Sequence, residues 1–180
     1  MSELSSICVY CASSGAVDPK YIDLARDIGV MIARYQKTLV YGGGHVGLMG
    51  AAADAALEAS GEVIGVIPQC LMDREVAHTG LSQLHLTGTM QDRQLKMAEL
   101  SDAFIVLPGG LGTLAEFFEI ITWRHLGIHD KPVFVLNAYG YWDLLLDMLN
   151  KAGEEKFLYK DLAELFTVVN DLQEIERYLK

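Results

Sequence analysis

Seven apolar runs alternating with helical patterns predict a doubly wound α/β fold, a mainly parallel sheet with helices on both faces. Runs such as Ile7-Cys8-Val9-Tyr10-Cys11 and Ala103-Phe104-Ile105-Val106-Leu107 lack polar alternation, which marks strands buried on both faces. Glycine-rich segments leave two of these runs and open helical patterns, as crossover units do.

The first strand falls on 7–11 and a helix follows near 19–35; the second strand falls on 38–41, with a helix over 47–59. A third strand at 63–68 leads into a loop of mixed composition over 69–82 and a short strand at 84–86. A helix near 92–100 precedes the strand at 103–107, and the helix after it spans 113–126. A strand at 133–137, a helix near 141–152, a short strand at 166–169 and a helix from 171 complete the chain. No internal repeat, low-complexity stretch or dividing linker interrupts the pattern, so 180 residues with 51% hydrophobic content are expected to form one nucleotide-binding domain over 1–180.

The formal net charge of −10 opposes nucleic acid or an anionic membrane as a partner, whereas a small anion needs only a local positive site. No apolar stretch approaches a membrane span and the N-terminus lacks the basic start of a signal peptide, so a cytoplasmic location is expected. Cys8, Cys11 and Cys70 are too few for a disulfide framework, and the C-x-x-C pair lies in an apolar strand, which reads as structural thiols.

Ligands of an open parallel sheet bind beyond the carboxyl ends of its strands, which directs attention to three loops. After the first strand comes Ala12-Ser13-Ser14-Gly15, with Ser14 as a candidate ligand. After the second comes Gly42-Gly43-Gly44-His45-Val46-Gly47, with Gly43 and Gly44 as candidates. After the central one comes Pro108-Gly109-Gly110-Leu111-Gly112-Thr113-Leu114-Ala115-Glu116. In that nonapeptide Gly109, Gly110 and Gly112 let backbone N–H groups approach an anion, the helix start adds partial positive charge, and Thr113 adds a hydroxyl. Glu116 would be repelled by a phosphate and is aimed at another part of the same ligand, which suggests chemistry on a phosphorylated sugar.

Gly42, Gly44 and Gly47 satisfy G-x-G-x-x-G, and Gly110, Gly112 and Ala115 its alanine variant, yet no acidic residue ends the following strand to hold a ribose. No Gly-Lys-Ser/Thr closes either turn. Mononucleotide binding survives; a dinucleotide cofactor and a Walker-type site do not. Arg93, at the start of a helix whose next strand enters the cradle, either clamps negative charge, or is a solvated helix charge, or pairs with Asp92 or Glu99. Glu119 shares a helix face with Glu116 and reads as a dipole-complementing acid. His45, His78, His85, His125 and His129 show no metal-ligand spacing, so no metal is expected.

The nonapeptide, together with Gly42-Gly43-Gly44-His45-Val46-Gly47-Leu48-Met49-Gly50, Val9-Tyr10-Cys11-Ala12-Ser13-Ser14 and Ile121-Thr122-Trp123, resembles the LONELY GUY family of cytokinin riboside 5′-monophosphate phosphoribohydrolases, long labelled possible lysine decarboxylases. The resemblance covers nearly the whole chain and implies a Rossmann-like fold. It implies hydrolysis of the N-glycosidic bond of an adenine-type nucleotide without metal or organic cofactor, by a homodimer or larger assembly with its pocket near a subunit interface. It assigns the catalytic pair to Arg93 and Glu116, phosphate binding to Gly109, Gly110, Gly112 and Thr113, and the nucleotide pocket to Glu75, Met90 and Thr122. The family's Met-His-x-Arg-Lys-x-x-Met reads Met90-Gln91-Asp92-Arg93-Gln94-Leu95-Lys96-Met97 here, with glutamine in place of the histidine and the lysine. A noncatalytic nucleotide or cofactor carrier on the same fold is the alternative reading.

Overall fold

The computed structural model describes residues 4–72 and 77–180. Its strands are β1 (Ser6–Tyr10), β2 (Thr38–Tyr41), β3 (Val63–Pro68), β4 (Gln83–Thr87), β5 (Ala103–Val106), β6 (Val133–Leu136) and β7 (Thr167–Val169). They form one sheet in the order β4-β3-β2-β1-β5-β6-β7, and every neighbouring pair is parallel. The helices are α1 (Pro19–Arg34), α2 (Gly47–Glu58), α3 (Met90–Glu99), α4 (Leu111–His125), α5 (Asp143–Glu154), α6 (Leu162–Leu165) and α7 (Leu172–Leu179).

Alternation along each strand divides the core in two. Ile7, Val9 and Cys11 of the first strand and the loop after it pack with Leu39, Ile105 and Phe134 against α1, α2 and α7. Cys8 and Tyr10 face the other way with Val40, Phe104 and Val135, against α3 to α6. A strand buried on both faces has no polar positions to show, which is why its sequence reads as a continuous apolar run. The same alternation sends Cys8 and Cys11 to opposite layers as free thiols.

Strand order runs one way from β1 to β4 and the other way from β1 through β5 to β7, so β1 and β5 are neighbours from which the crossovers diverge. Their carboxyl ends flank the switch point of the sheet, where such folds open a crevice.

Three helix starts differ from the sequence expectation, each for a local reason. The third helix begins at Met90 because the Thr89 hydroxyl accepts from the Asp92 N–H while the Asp92 carboxylate accepts from the Thr89 N–H, a capping box. The fourth begins at Leu111, with Gly110 in extended geometry as N-cap, so Gly112 and Thr113 lie inside its first turn. The fifth begins at Asp143, because Trp142, at φ −93° and ψ 2°, is its N-cap and gives its N–H to Asn137 Oδ1. The short α6, capped by Asp161 and Glu164, had no periodicity long enough to read. Among the described residues no helix is long and apolar enough to cross a membrane.

Candidate active site

A cleft of about 170 Å³ opens at the switch point. Its floor is the loop leaving β1, with Cys11, Ser13 and Ser14, and one wall is the start of α4, with Gly110, Gly112 and Thr113. Arg93, Glu116 and Met49 close it.

The first turn of α4 carries N–H groups that no earlier residue of the helix can accept from, and Gly110 offers no side-chain cap. Thr113 adds a second unsatisfied donor: its Oγ1 is buried and has no hydrogen-bond partner among the described residues. A buried hydroxyl without a partner costs on the order of 1–3 kcal/mol. An anion seated at the helix start would accept from the hydroxyl and from the amides together.

Arg93 is 5% exposed, which removes the solvated-charge alternative. Its Nε donates to the Val66 carbonyl at 3.1 Å and its Nη2 to the Gly42 carbonyl at 3.2 Å, so the guanidinium is held beneath the carboxyl ends of β3 and β2. Asp92 is engaged in the Thr89 cap and Glu99 pairs with Lys96, while Arg93 Nη1 lies 3.5 Å from Glu116 Oε1. Glu116 is itself 6% exposed. A buried ion pair is a poor stabiliser, because desolvating both charges offsets most of their attraction. Its place in the cleft therefore calls for a chemical rather than a structural account.

Burial, and then the negative charge of Glu116, push the Cys11 thiol far above its ordinary range, so Cys11 lines the cleft as a neutral group and not as a nucleophile. Burial also raises the Glu119 carboxyl, one helical turn beyond Glu116.

The structure brings together three residues that lack motif spacing: ligand atoms of His45, Asp54 and His78 lie within 4.8 Å of one another. The hydrogen bonds decide what this cluster is. His78 Nδ1 accepts from the Gly80 N–H at 3.0 Å, so its proton sits on Nε2, which donates to Asp54 Oδ1 at 2.8 Å. That tautomer leaves Nε2 no lone pair for a metal, and a ligating histidine normally donates from its other nitrogen rather than accepting there. The cluster is a polar tie between α2 and the loop before β4.

Of the residues singled out in the sequence, Ser14, Arg93, Gly110, Gly112, Thr113 and Glu116 meet in the cleft. Gly109 is buried behind the turn, and Gly43, at φ +77°, packs under Ile67 and Leu84 and accepts from the His78 N–H. Gly44 bridges to Ala77 and does not line the cleft. Met90 and Thr122 are exposed on the outer faces of α3 and α4, and Glu75 lies outside the described residues. Gln91 and Gln94 stand outside the cleft lining as well. Sequence reasoning missed Cys11, Ser13, Met49 and Leu111 as lining residues; the last was readable once the glycine turn is recognised as the helix start itself.

The family described as "Possible lysine decarboxylase" matches residues 49–179. A cytokinin riboside 5′-monophosphate phosphoribohydrolase of Rhodococcoides fascians is 45% identical over 93% of this chain and 85% of its own length. The Arabidopsis thaliana enzyme of the same name, LOG3, is 42% identical over 99% of this chain and 83% of its own. Among solved structures, the molybdenum cofactor carrier protein of Chlamydomonas reinhardtii superposes with a TM-score of 0.73 at 22% identity, over 96% of this chain and 94% of that one, a likeness of fold. With a family match over most of its length and relatives this similar over nearly all of it, the chain belongs to the LONELY GUY family, the group also described as possible lysine decarboxylases.

Proposed function

We propose that this protein hydrolyses the N-glycosidic bond of adenine-type nucleoside 5′-monophosphates, cytokinin riboside 5′-monophosphates among them, to free base and ribose 5-phosphate. The observation that carries the reading is the buried Arg93–Glu116 pair at 3.5 Å beside an uncapped helix start. Water supplies hydroxide to the anomeric carbon and a proton to the departing base nitrogen.

Cleavage builds positive charge on the sugar and negative charge on the base. The Glu116 carboxylate stabilises the oxocarbenium-like ribose, orients its hydroxyls and activates the water, while Arg93 offsets negative charge. Two backbone carbonyls fix the guanidinium, so little reorganisation accompanies the reaction. Gly110, Gly112 and Thr113, with Ser14 and with Gly109 packed behind them, receive the 5′-phosphate, whose binding energy places the anomeric carbon against Glu116.

A cleft of about 170 Å³ is below the ~300 Å³ at which pockets for small molecules begin. It fits the ribose phosphate and leaves the base to a homodimer partner, next to exposed Leu111, Leu95 and Met90. Met90, Thr122 and Glu75 complete the base pocket in that assembly, which acts in the cytoplasm as a single-domain protein over 1–180 without metal or organic cofactor. Decarboxylation through pyridoxal would need a lysine to carry the cofactor, and no lysine is among the residues lining the cleft.

Incubation with AMP and isopentenyladenosine 5′-monophosphate, followed by chromatography, tests the reading. Free base and ribose 5-phosphate in equal amounts are expected. Stoichiometric binding with no base released would instead support the carrier alternative.

A further inference from the structure

Adjoining the cleft, and sharing Ser14 and Gly110 with it, lies a second hollow of about 220 Å³, lined among others by Tyr21, Pro108, Gly109 and Tyr141. Among its lining residues the Tyr141 hydroxyl donates to the Gly109 carbonyl at 2.7 Å.

The segment after β6 is shaped to deliver that hydroxyl. Tyr139 and Gly140 turn the chain back with positive φ, and a Cβ at Gly140 would meet Asp143 Oδ2 at 2.7 Å. Asn137 locks the turn: its Oδ1 accepts from the Trp142 N–H and its Nδ2 donates to Asp143 Oδ1, each at 2.7 Å. The Tyr141 ring is then wedged edge-on between Tyr21 of α1, at 5.6 Å, and the buried Trp142, at 4.7 Å.

We infer that Tyr141 is a positioning residue that fixes the Gly109–Gly110 peptide so that the Gly110 N–H faces the bound phosphate. A trans peptide points its C=O and N–H in opposite directions, so anchoring the Gly109 oxygen on Tyr141 turns the Gly110 N–H away from Tyr141 and toward the cleft that Gly110 lines. Consecutive glycines flip such a plane at low cost, and without the anchor the turn would sample orientations that present a carbonyl to the anion. The inference rests on the phosphate-binding reading above. It assigns a function to the Asn137-to-Asp143 segment, which neither the sequence motifs nor the cleft lining absorbs.

The test is Tyr141→Phe, which keeps the ring contacts and removes only the hydroxyl. Titration calorimetry with ribose 5-phosphate and with inorganic phosphate is compared between parent and variant, with adenosine as the phosphate-free control and the melting temperature alongside. Affinity for both phosphates is expected to fall by about three- to tenfold, the scale of one hydrogen bond. KM for AMP should rise by the same factor with kcat unchanged, because the phosphate is bound equally before and at the transition state. Adenosine binding should stay at the parent value, and the melting temperature should fall by no more than the loss of one hydrogen bond accounts for. Unchanged phosphate affinity in the variant, or an equal loss for adenosine, would overturn the positioning role while leaving the site reading intact. A parent protein that binds neither phosphate would overturn the site reading and this inference together.

Discussion

The two glycine turns of this chain satisfy nearly the same motif and do opposite work. After β2, every glycine tested by an added Cβ meets protein: at Gly42 it would lie 1.9 Å from Arg93 Nη2, at Gly47, which has φ of +63°, 2.5 Å from the Ser13 backbone, and at Gly50 2.2 Å from the His45 carbonyl. After β5, a Cβ at Gly110 or Gly112 would meet nothing within 4 Å. The first turn uses glycine to admit its own neighbours, above all the guanidinium of Arg93; in the second, Gly110 and Gly112 leave open space beside the helix start. Gly109 is the exception in the second turn, since a Cβ there would lie 2.1 Å from Thr113 Oγ1, and it too is a packing glycine. A glycine motif in a sequence therefore names a tight turn, and only the surroundings tell which kind.

The comparison can be broken at several points. The largest effect is expected where the two turns converge: Glu116→Gln keeps the shape, removes the charge facing Arg93, and should lower kcat by about 10²-fold or more in a base-release assay. Next comes Gly42→Ala, which displaces the guanidinium from its carbonyl anchors. It should cost about 1–3 kcal/mol in denaturant titration and lower turnover at least roughly tenfold, since both the packing and the catalytic geometry move. Gly112→Ala should separate the two properties. Alanine in the first turn of α4 gains up to about 1 kcal/mol of helix propensity, so the melting temperature holds or rises. The methyl group intrudes on the phosphate, and KM for AMP should rise roughly tenfold, about the loss of one charge-assisted hydrogen bond. If Gly112→Ala instead lowered stability and spared KM, the two turns would not differ as described.

The smallest effect belongs to the opposite end of the sheet, where function has no stake. Burial alone would raise the Asp102 carboxyl, but the N–H groups of Ser5 and Ser6 and the Ser6 hydroxyl outweigh it and hold the group below its ordinary range. A carboxyl lowered in the folded state adds stability that is fully present above its unfolded value, about 3.9, and is lost as pH falls through the folded value. Asp102→Ala should therefore cost about 1 kcal/mol at pH 7, discounted for its partial exposure, and flatten the loss of stability below about pH 4. Turnover should not change.

Much of this was legible in the chain. The central apolar runs became strands because burial on both faces leaves no alternation to blur them, and the glycines of the nonapeptide placed a turn and a helix start where the cleft opens. The inward turn of Arg93 was not legible. It depends on Gly42 and Val66 offering carbonyls side by side, which follows from β2 and β3 being neighbours in the sheet, and no local pattern encodes sheet order. The start of α3 was written in Thr89-x-x-Asp92 but calls for reading aspartate in place of the glutamate of the usual capping box. The meeting of His45, Asp54 and His78 was invisible for the same reason as Arg93, and only the hydrogen bond from Gly80 shows that it is a tie and not a metal centre.

The second turn is proposed to bind a phosphate as a handle for cleavage at Glu116. Comparing AMP with adenosine in one time course of adenine release tests it most directly. The account predicts adenine and ribose 5-phosphate appearing one to one from AMP, with kcat/KM for adenosine lower by at least about 10²-fold, the weight of a lost charged anchor. AMP recovered intact, or adenosine cleaved as fast as AMP, would contradict it.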